Sequence, residues 1–414
     1  MKKPVTSCSS LFLSFLLLVA CTGLQRAEPL GPGSPSFQTV RTKSPKPAPS
    51  NPLAYYPFLL SQLKLQEGKM DEAIKYLKEA IAQDKKDPSL HVELATLYIH
   101  KGVFDEAIEE CKKALQYDPD NLKAYLILGG LYSSLKNNRL AIESYQKAIE
   151  IAPEHRESYL YLSSLYADVQ EYEKAVDLMN RFLKIEPNSV MGFYSLGRIY
   201  AEMKEYDKAK EYLLKALAVE PNLVSVLMDL GIIYELQNEP EKATEVYKKI
   251  LALDPENKTA RNRLGQIFIR KKNLDEALNQ FREIQKSDSE DLNIRTKIGL
   301  IYLEQGKFDQ AILEFNFILA ANPKDDRVRY YLGVAYVEKG LLDQALAEFK
   351  KIPPGSNLFV DARRSIILIL RKQNKTKEAI HSIEEAINAK PKEENLYLLL
   401  ADLFEKENQL ARRR

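Results

Sequence analysis

The chain has 414 residues, of which 45% are apolar, with 60 basic against 58 acidic side chains. So even a balance excludes binding to nucleic acid by bulk electrostatics. Three cysteines are too few to staple a chain of this length into a disulfide framework.

In chain order, residues 1–20 come first and read as a secretory signal. Lys2 and Lys3 precede an apolar run from Leu11 to Ala20 that is too short for a comfortable permanent span. The run ends in Leu18-Val19-Ala20-Cys21, which resembles the bacterial lipobox. That resemblance implies cleavage before Cys21 and a lipid (palmitate among the expected acyl groups) on its thiol. Thr22 follows Cys21, where an aspartate would be the usual mark of inner-membrane retention. The expected location is therefore the bacterial cell envelope, on the outer membrane and facing the periplasm. Residues 21–52 form the next segment. Pro29, Pro32, Pro35, Pro45, Pro47, Pro49 and Pro52 cannot build a packed core there, so an extended tether is expected.

From 53 to 393 the sequence repeats ten times with a strict period of 34 residues. Its marker is one alanine, at 73, 107, 141, 175, 209, 243, 277, 311, 345 and 379. Around it lie apolar residues spaced by three and four, as in Tyr125, Leu128, Gly129, Tyr132, Ala141, Tyr145, Ala148 and Pro153. This spacing predicts two helices per unit, the first about 13 residues long and the second a little longer. Small residues such as Gly129, Gly197, Gly231, Gly265, Gly299 and Gly333 are expected to let two helices approach closely. Gly68, Gly102, Gly306 and Gly340, or Asn238 and Asn374, suit a left-handed turn between them. Proline closes seven units, at 119, 153, 187, 221, 255, 323 and 391.

The pattern resembles the tetratricopeptide repeat over about residues 54–407. The resemblance implies an all-α fold, a right-handed alpha-alpha superhelix, in which stacked helix pairs share one core. It also implies protein or peptide binding along a concave groove, and no reaction. Three repeats depart from the pattern. Repeat 1 has Pro57 and Lys64 at aromatic packing positions. Repeat 9 ends in Ile352-Pro353-Pro354-Gly355, which should stop its second helix early, and repeat 10 puts Ile367 at the small position. Residues 394–414 match the first helix of an eleventh repeat, with Tyr397, Leu400, Ala401 and Phe404, and read either as a solubilising cap or as part of a longer array.

No serine elbow, phosphate loop or zinc motif is present, and His91, His100, His155 and His381 are scattered. Neither an enzyme, nor a cofactor, nor a metal is expected. Cys111 falls at the core position of Tyr145 and Leu213 and reads as a buried thiol. By resemblance to the family, groove residues lie on the first helices, out of phase with the core. The candidates are Met191, Tyr194 and Arg198 in repeat 5, Met228 and Ile232 in repeat 6, and Asn262, Gln266 and Ile269 in repeat 7. Leu300 and Leu303 follow in repeat 8, then Tyr330 and Val334 in repeat 9. Met228, Ile232, Leu300, Leu303 and Val334 would form an apolar strip. Asn262 and Gln266 would pair with a peptide backbone, and Tyr194, Arg198 and Tyr330 would anchor it.

The expected function is a non-enzymatic scaffold tethered to the envelope, holding one or more envelope proteins or peptides during assembly, secretion or export. The alternatives are a cell-wall or polysaccharide-binding protein, or a regulatory subunit that recruits substrates to an envelope enzyme.

Overall fold

The computed structural model describes residues 51–412, with side chains through 405. The leader, Cys21 and the proline-rich tether lie outside the described residues. Every regular element described is a helix, in the order α1 (Pro52–Gln66), α2 (Met70–Gln83), α3 (Pro88–Lys101), α4 (Phe104–Tyr117), α5 (Leu122–Ser134), α6 (Asn138–Ile151) and α7 (Arg156–Asp168). Next are α8 (Tyr172–Ile185), α9 (Val190–Glu202), α10 (Tyr206–Val219), α11 (Val224–Leu236), α12 (Pro240–Leu253), α13 (Lys258–Arg270) and α14 (Leu274–Ser287). The last are α15 (Leu292–Glu304), α16 (Phe308–Ala321), α17 (Asp326–Lys339), α18 (Leu342–Lys350), α19 (Phe359–Lys372), α20 (Thr376–Ala389) and α21 (Glu394–Arg412). Odd-numbered helices are the first helices of repeats, and even-numbered ones the second. The chain divides into two compact units between Glu239 and Pro240.

The two kinds of helix begin differently. Seven first helices are entered through side-chain caps, Asn51, Asp87, Asn121, Ser189, Asn257, Asp291 and Asp325 each accepting a backbone N–H of the first turn, whereas among the second helices Asn137 alone is seen to do so. Second helices follow the first through one residue in the left-handed conformation. It is Gly68, Gly102, Gly306 and Gly340, or Asn238 and Asn374, as the sequence suggests, but also Lys136, Gln170, Lys204 and Lys272. In each case the next residue's N–H reaches five residues back, as in Val103 to the Tyr98 carbonyl at 2.9 Å and Asn137 to Tyr132 at 2.8 Å. This double wrap satisfies the last carbonyls of the first helix, so the turn forms even without glycine. In repeat 9, α18 has only 9 residues before Pro353-Pro354, as the sequence predicts.

All ten marker alanines are 0% exposed. The glycine sixteen positions before a large second-helix residue lets the helices approach chiefly by making room for that side chain, a ring opposite Gly129, Gly265, Gly299 and Gly333 and Leu213 opposite Gly197, where the Ala209 carbonyl also comes within 3.3 Å of a Cβ position. A Cβ on Gly299 would stand 2.5 Å from Phe315, and on Gly129, Gly265 and Gly333 it would stand 2.6 Å from Tyr145, Phe281 and Phe349. Where the first residue is larger, the second is not aromatic: Ser61 with Leu77, Ala95 with Cys111, Ser163 with Met179, Ile367 with Ile383, all buried. A ring thus occurs only opposite glycine, while the summed size of the pair ranges from the small Ala95 and Cys111 to the large Ile367 and Ile383. Burial pushes the Cys111 thiol up to about 12, so it is an inert core group.

A second repeated device ties the first helix to the turn before it. Arg295 donates to the Ser289 carbonyl at 2.8 Å and to Glu314 at 2.7 Å. Arg329 does the same to Pro323 and, at 2.8 Å, to Glu348. In repeat 2 the equivalent residue is His91, with Nδ1 2.6 Å from Glu110 and Nε2 3.0 Å from the Lys85 carbonyl. Both ring nitrogens face acceptors, which only the imidazolium satisfies. Burial alone would lower the His91 pKa, but its bonds to Glu110 and Lys85 outweigh that and leave it raised. Burial likewise opposes Glu110, which the bonds from His91 and Lys113 nevertheless hold below the usual carboxylate value.

Candidate functional site

First helices of neighbouring repeats touch within each unit: α3 with α5, α7 with α9 and α9 with α11 in the first, α15 with α17 and α19 with α21 in the second. They form the inner layer of each stack, and the candidate residues lie on it. In the N-terminal unit all five reach the surface. Met191 is 49% exposed, and Tyr194, Arg198, Met228 and Ile232 are half-buried. The Tyr194 hydroxyl donates to Asp229 Oδ2 at 2.9 Å, bridging α9 to α11, and the Arg198 guanidinium stands 6.0 Å from the Tyr194 ring. Burial raises the Asp168 and Glu202 carboxyls above their ordinary values, against the opposing charge of Arg198. Burial and the Asp229 charge push the Tyr194 phenol up as well. Arg198 is therefore flanked by the exposed carboxylates of Asp168 and Glu202, while Asp229 is buried beneath Tyr194. The surface is rich in acceptors and suits a partner that brings N–H donors with apolar side chains.

The C-terminal unit departs from the expectation. Gln266, Ile269, Leu300, Leu303 and Tyr330 are buried, at 9, 6, 2, 3 and 4% exposure. The Tyr330 ring packs 5.4 Å from Phe349, inside the core, rather than standing as an anchor. Asn262 is half-buried, and its Oδ1 already accepts from Lys297 at 2.6 Å, so its oxygen is occupied before any peptide arrives. Val334 alone of that strip keeps partial exposure, with Asn262. The cover comes from the core itself: Ile269, Leu300, Leu303 and Tyr330 belong to one cluster of buried side chains in this unit.

Sequence reasoning missed Asp168 and Asp229. Asp168 falls one period before Glu202, so the phase used for Arg198 could have found it. Asp229 lies one residue beyond that phase, and only the Tyr194 bond brings it in. Among the described residues no three metal-ligating side chains come together, and no helix is long and apolar enough to cross a membrane.

Sequence profiles described as tetratricopeptide repeat match residues 64–110, 122–155, 157–189, 189–256, 234–299 and 296–357. A profile for anaphase-promoting complex subunit 5 matches 365–403. Similar solved structures include MamA, at 30% identity over 38% of this chain and 93% of that one, with a TM-score of 0.36. PilW, a type IV pilus biogenesis factor, is 20% identical over 50% of this chain and 97% of its own, with a TM-score of 0.43. YrrB, described as having an unusual peptide-binding site, is 22% identical over 48% of this chain and 100% of its own, with a TM-score of 0.39. Among curated proteins none matches the chain.

Proposed function

The chain belongs to the tetratricopeptide repeat family, and from that premise we propose that it holds another polypeptide along the inner layer of its N-terminal unit without transforming it. The reading rests on one observation. Met191, Tyr194, Arg198, Met228 and Ile232 all stay at the surface of α9 and α11, beside the exposed Asp168 and Glu202, with Asp229 buried beneath holding Tyr194. Apolar contact from Met191, Met228 and Ile232 supplies area. The exposed Asp168 and Glu202 carboxylates accept from backbone N–H groups or from a lysine or arginine, and Arg198 orients a carbonyl.

The scaffold works at the bacterial envelope in this reading, tethered through lipid on Cys21, with residues 22–52 as the spacer. What supports the tether is the leader and the Leu18-Val19-Ala20-Cys21 sequence. Assembly, secretion or export of envelope components is the setting that such a tether fits.

Copurification from detergent-solubilised membranes tests the surface. Met191→Asp with Arg198→Ala should cut partner recovery by about tenfold, as anchor residues do. Equal recovery with both changes overturns the reading. Intact mass of the mature chain, wild type against Cys21→Ser, tests the tether separately. A lipid-sized mass increment lost in the variant supports it, and a chain retaining Met1 removes it.

A further inference from the structure

Asp168 and Glu202 are the last residues of α7 and α9. As first helices of successive repeats, these two run the same way and touch, which sets two carboxylates at two neighbouring helix C-termini. The helix dipole is negative there and favours a base. Four other first helices supply one, closing on Lys101, Arg270, Lys339 and Lys372. Neither α7 nor α9 has a base in its last turn. Among the described residues no hydrogen bond or ion pair reaches either carboxylate. Both feel the opposite charge of Arg198, and Glu202 also feels the like charge of Asp168. One guanidinium thus serves two acids. In the C-terminal unit the acid at the same position, Glu338, faces Lys372 one repeat on.

Beside the acids the surface is apolar. One repeat beyond Glu202 the same position is Leu236, the last residue of α11, which is 45% exposed. With the half-buried Met228 and Ile232 it makes a stripe at spacings of four residues, about 12 Å long. Because α9 and α11 touch, the stripe meets the pair of acids at the C-terminal ends of the two helices. A neutral or acidic segment laid on the stripe would cover two carboxylates without a counter-charge, which is costly. A cation placed between them relieves their repulsion and completes two helix ends at once.

We propose that the polypeptide held on this surface is a basic amphipathic segment of another protein, with its apolar side chains along Met228, Ile232 and Leu236 and a lysine or arginine between Asp168 and Glu202. The inference rests on the α9–α11 surface being the one that holds a polypeptide, and adds the sign of the charge that the polypeptide brings.

The test uses the full chain and two fluorescently labelled amphipathic peptides of about four helical turns, one of leucine and lysine, the other with glutamine for every lysine. Anisotropy should show the lysine peptide binding about tenfold tighter. Asp168→Asn with Glu202→Gln should remove most of that preference and leave the glutamine peptide unchanged. Glu173→Gln with Asp177→Asn makes the same change in net charge on α8, and should alter neither peptide by more than about twofold. All four acids are exposed or at the surface of their helices, and the melting temperature of both variants should not fall. Equal loss from the two acid pairs overturns the proposal, by reducing the preference to bulk charge, and so does a glutamine peptide that binds as tightly as the lysine one. Met228→Ser with Ile232→Ser should weaken both peptides severalfold. If neither weakens, the surface reading fails together with the inference; if both weaken while the inner acid pair has no effect, the inference alone fails. Glutamine at the tether's Arg26, Arg41, Lys43 and Lys46 and at Arg413 and Arg414 should leave the lysine peptide's affinity as it is. A severalfold gain overturns the proposal, by making the chain's own ends the occupant.

Discussion

Repeat 8 sets Gly299 against the Phe315 ring and secures its first helix with Arg295 and Glu314. Repeat 2 uses the same 34-residue frame with Ala95 and Cys111, both fully buried, and with His91 and Glu110 as the tie. The comparison separates what the frame requires from what it leaves open. Each hairpin buries its facing pair, but the size of that pair is free to vary provided a ring meets glycine. Each turn carbonyl must be met by a donor, but that donor can be a permanent cation or a titrating one.

The contrast in volume predicts the largest effect. Phe315→Ala should destabilise the C-terminal unit by about 3–5 kcal/mol, because the ring is fully buried and the glycine opposite cannot fill its space. Cys111→Ala should cost far less, since little volume is lost. Urea denaturation, with each unit followed by its own probe, measures both, and equal costs would break the comparison.

The division of volume can be sharpened by changing its other side. Gly299→Ala places a methyl 2.5 Å from the ring and should cost about 1–3 kcal/mol. Adding Phe315→Leu, which removes the ring the methyl meets, should recover part of that loss, a coupling above about 0.5 kcal/mol in a double-mutant cycle. Simple additivity would mean that the two positions do not share one space.

The ties differ in their response to pH. The folded His91 pKa is raised, so its contribution is complete below the unfolded value of 6.5 and is lost as pH rises through the higher folded value. The folded Glu110 pKa is lowered, so its contribution is present above 4.5 and is lost as pH falls through the lower folded value. Repeat 2 should therefore be held best between about 4.5 and 6.5. His91→Arg should remove the alkaline loss, about 1–2 kcal/mol for a hydrogen bond to a charged group. Local hydrogen exchange of α3 and α4 at pH 6 and 9 is the readout, and a variant that still loosens at pH 9 would assign the loss elsewhere.

The smallest effect concerns the turns. Lys136 holds φ +57° where other repeats have glycine. Lys136→Gly should relieve the left-handed strain and gain about 0.5 kcal/mol after the extra freedom of the unfolded chain is counted. A loss of stability would show that the lysine chain packs usefully there.

The repeat frame was legible throughout the sequence. The alanine marker, the helix pairs, the glycine and asparagine turns and the short α18 follow from spacing and from backbone limits that act within a few residues. The four left-handed Lys and Gln residues were not legible, because the wrap that holds them needs only backbone atoms. The His91, Arg295 and Arg329 ties were also missed, although the nineteen-residue spacing to Glu110, Glu314 and Glu348 is regular. A polar residue at an aromatic position gives no sign of its partner until two helices meet.

The sequence by itself determined the unit, its count and its core, since periodicity fixes which face of each helix is apolar. Tertiary structure alone decided which groove-phase side chains reach solvent. Tyr194 and Tyr330 occupy the same position four repeats apart, yet one bonds to Asp229 at the surface and the other packs on Phe349 in the core. Helical phase sets the direction of a side chain, but exposure depends on what packs across it, here Asp229 of the next first helix in one case and Phe349 of the same hairpin in the other.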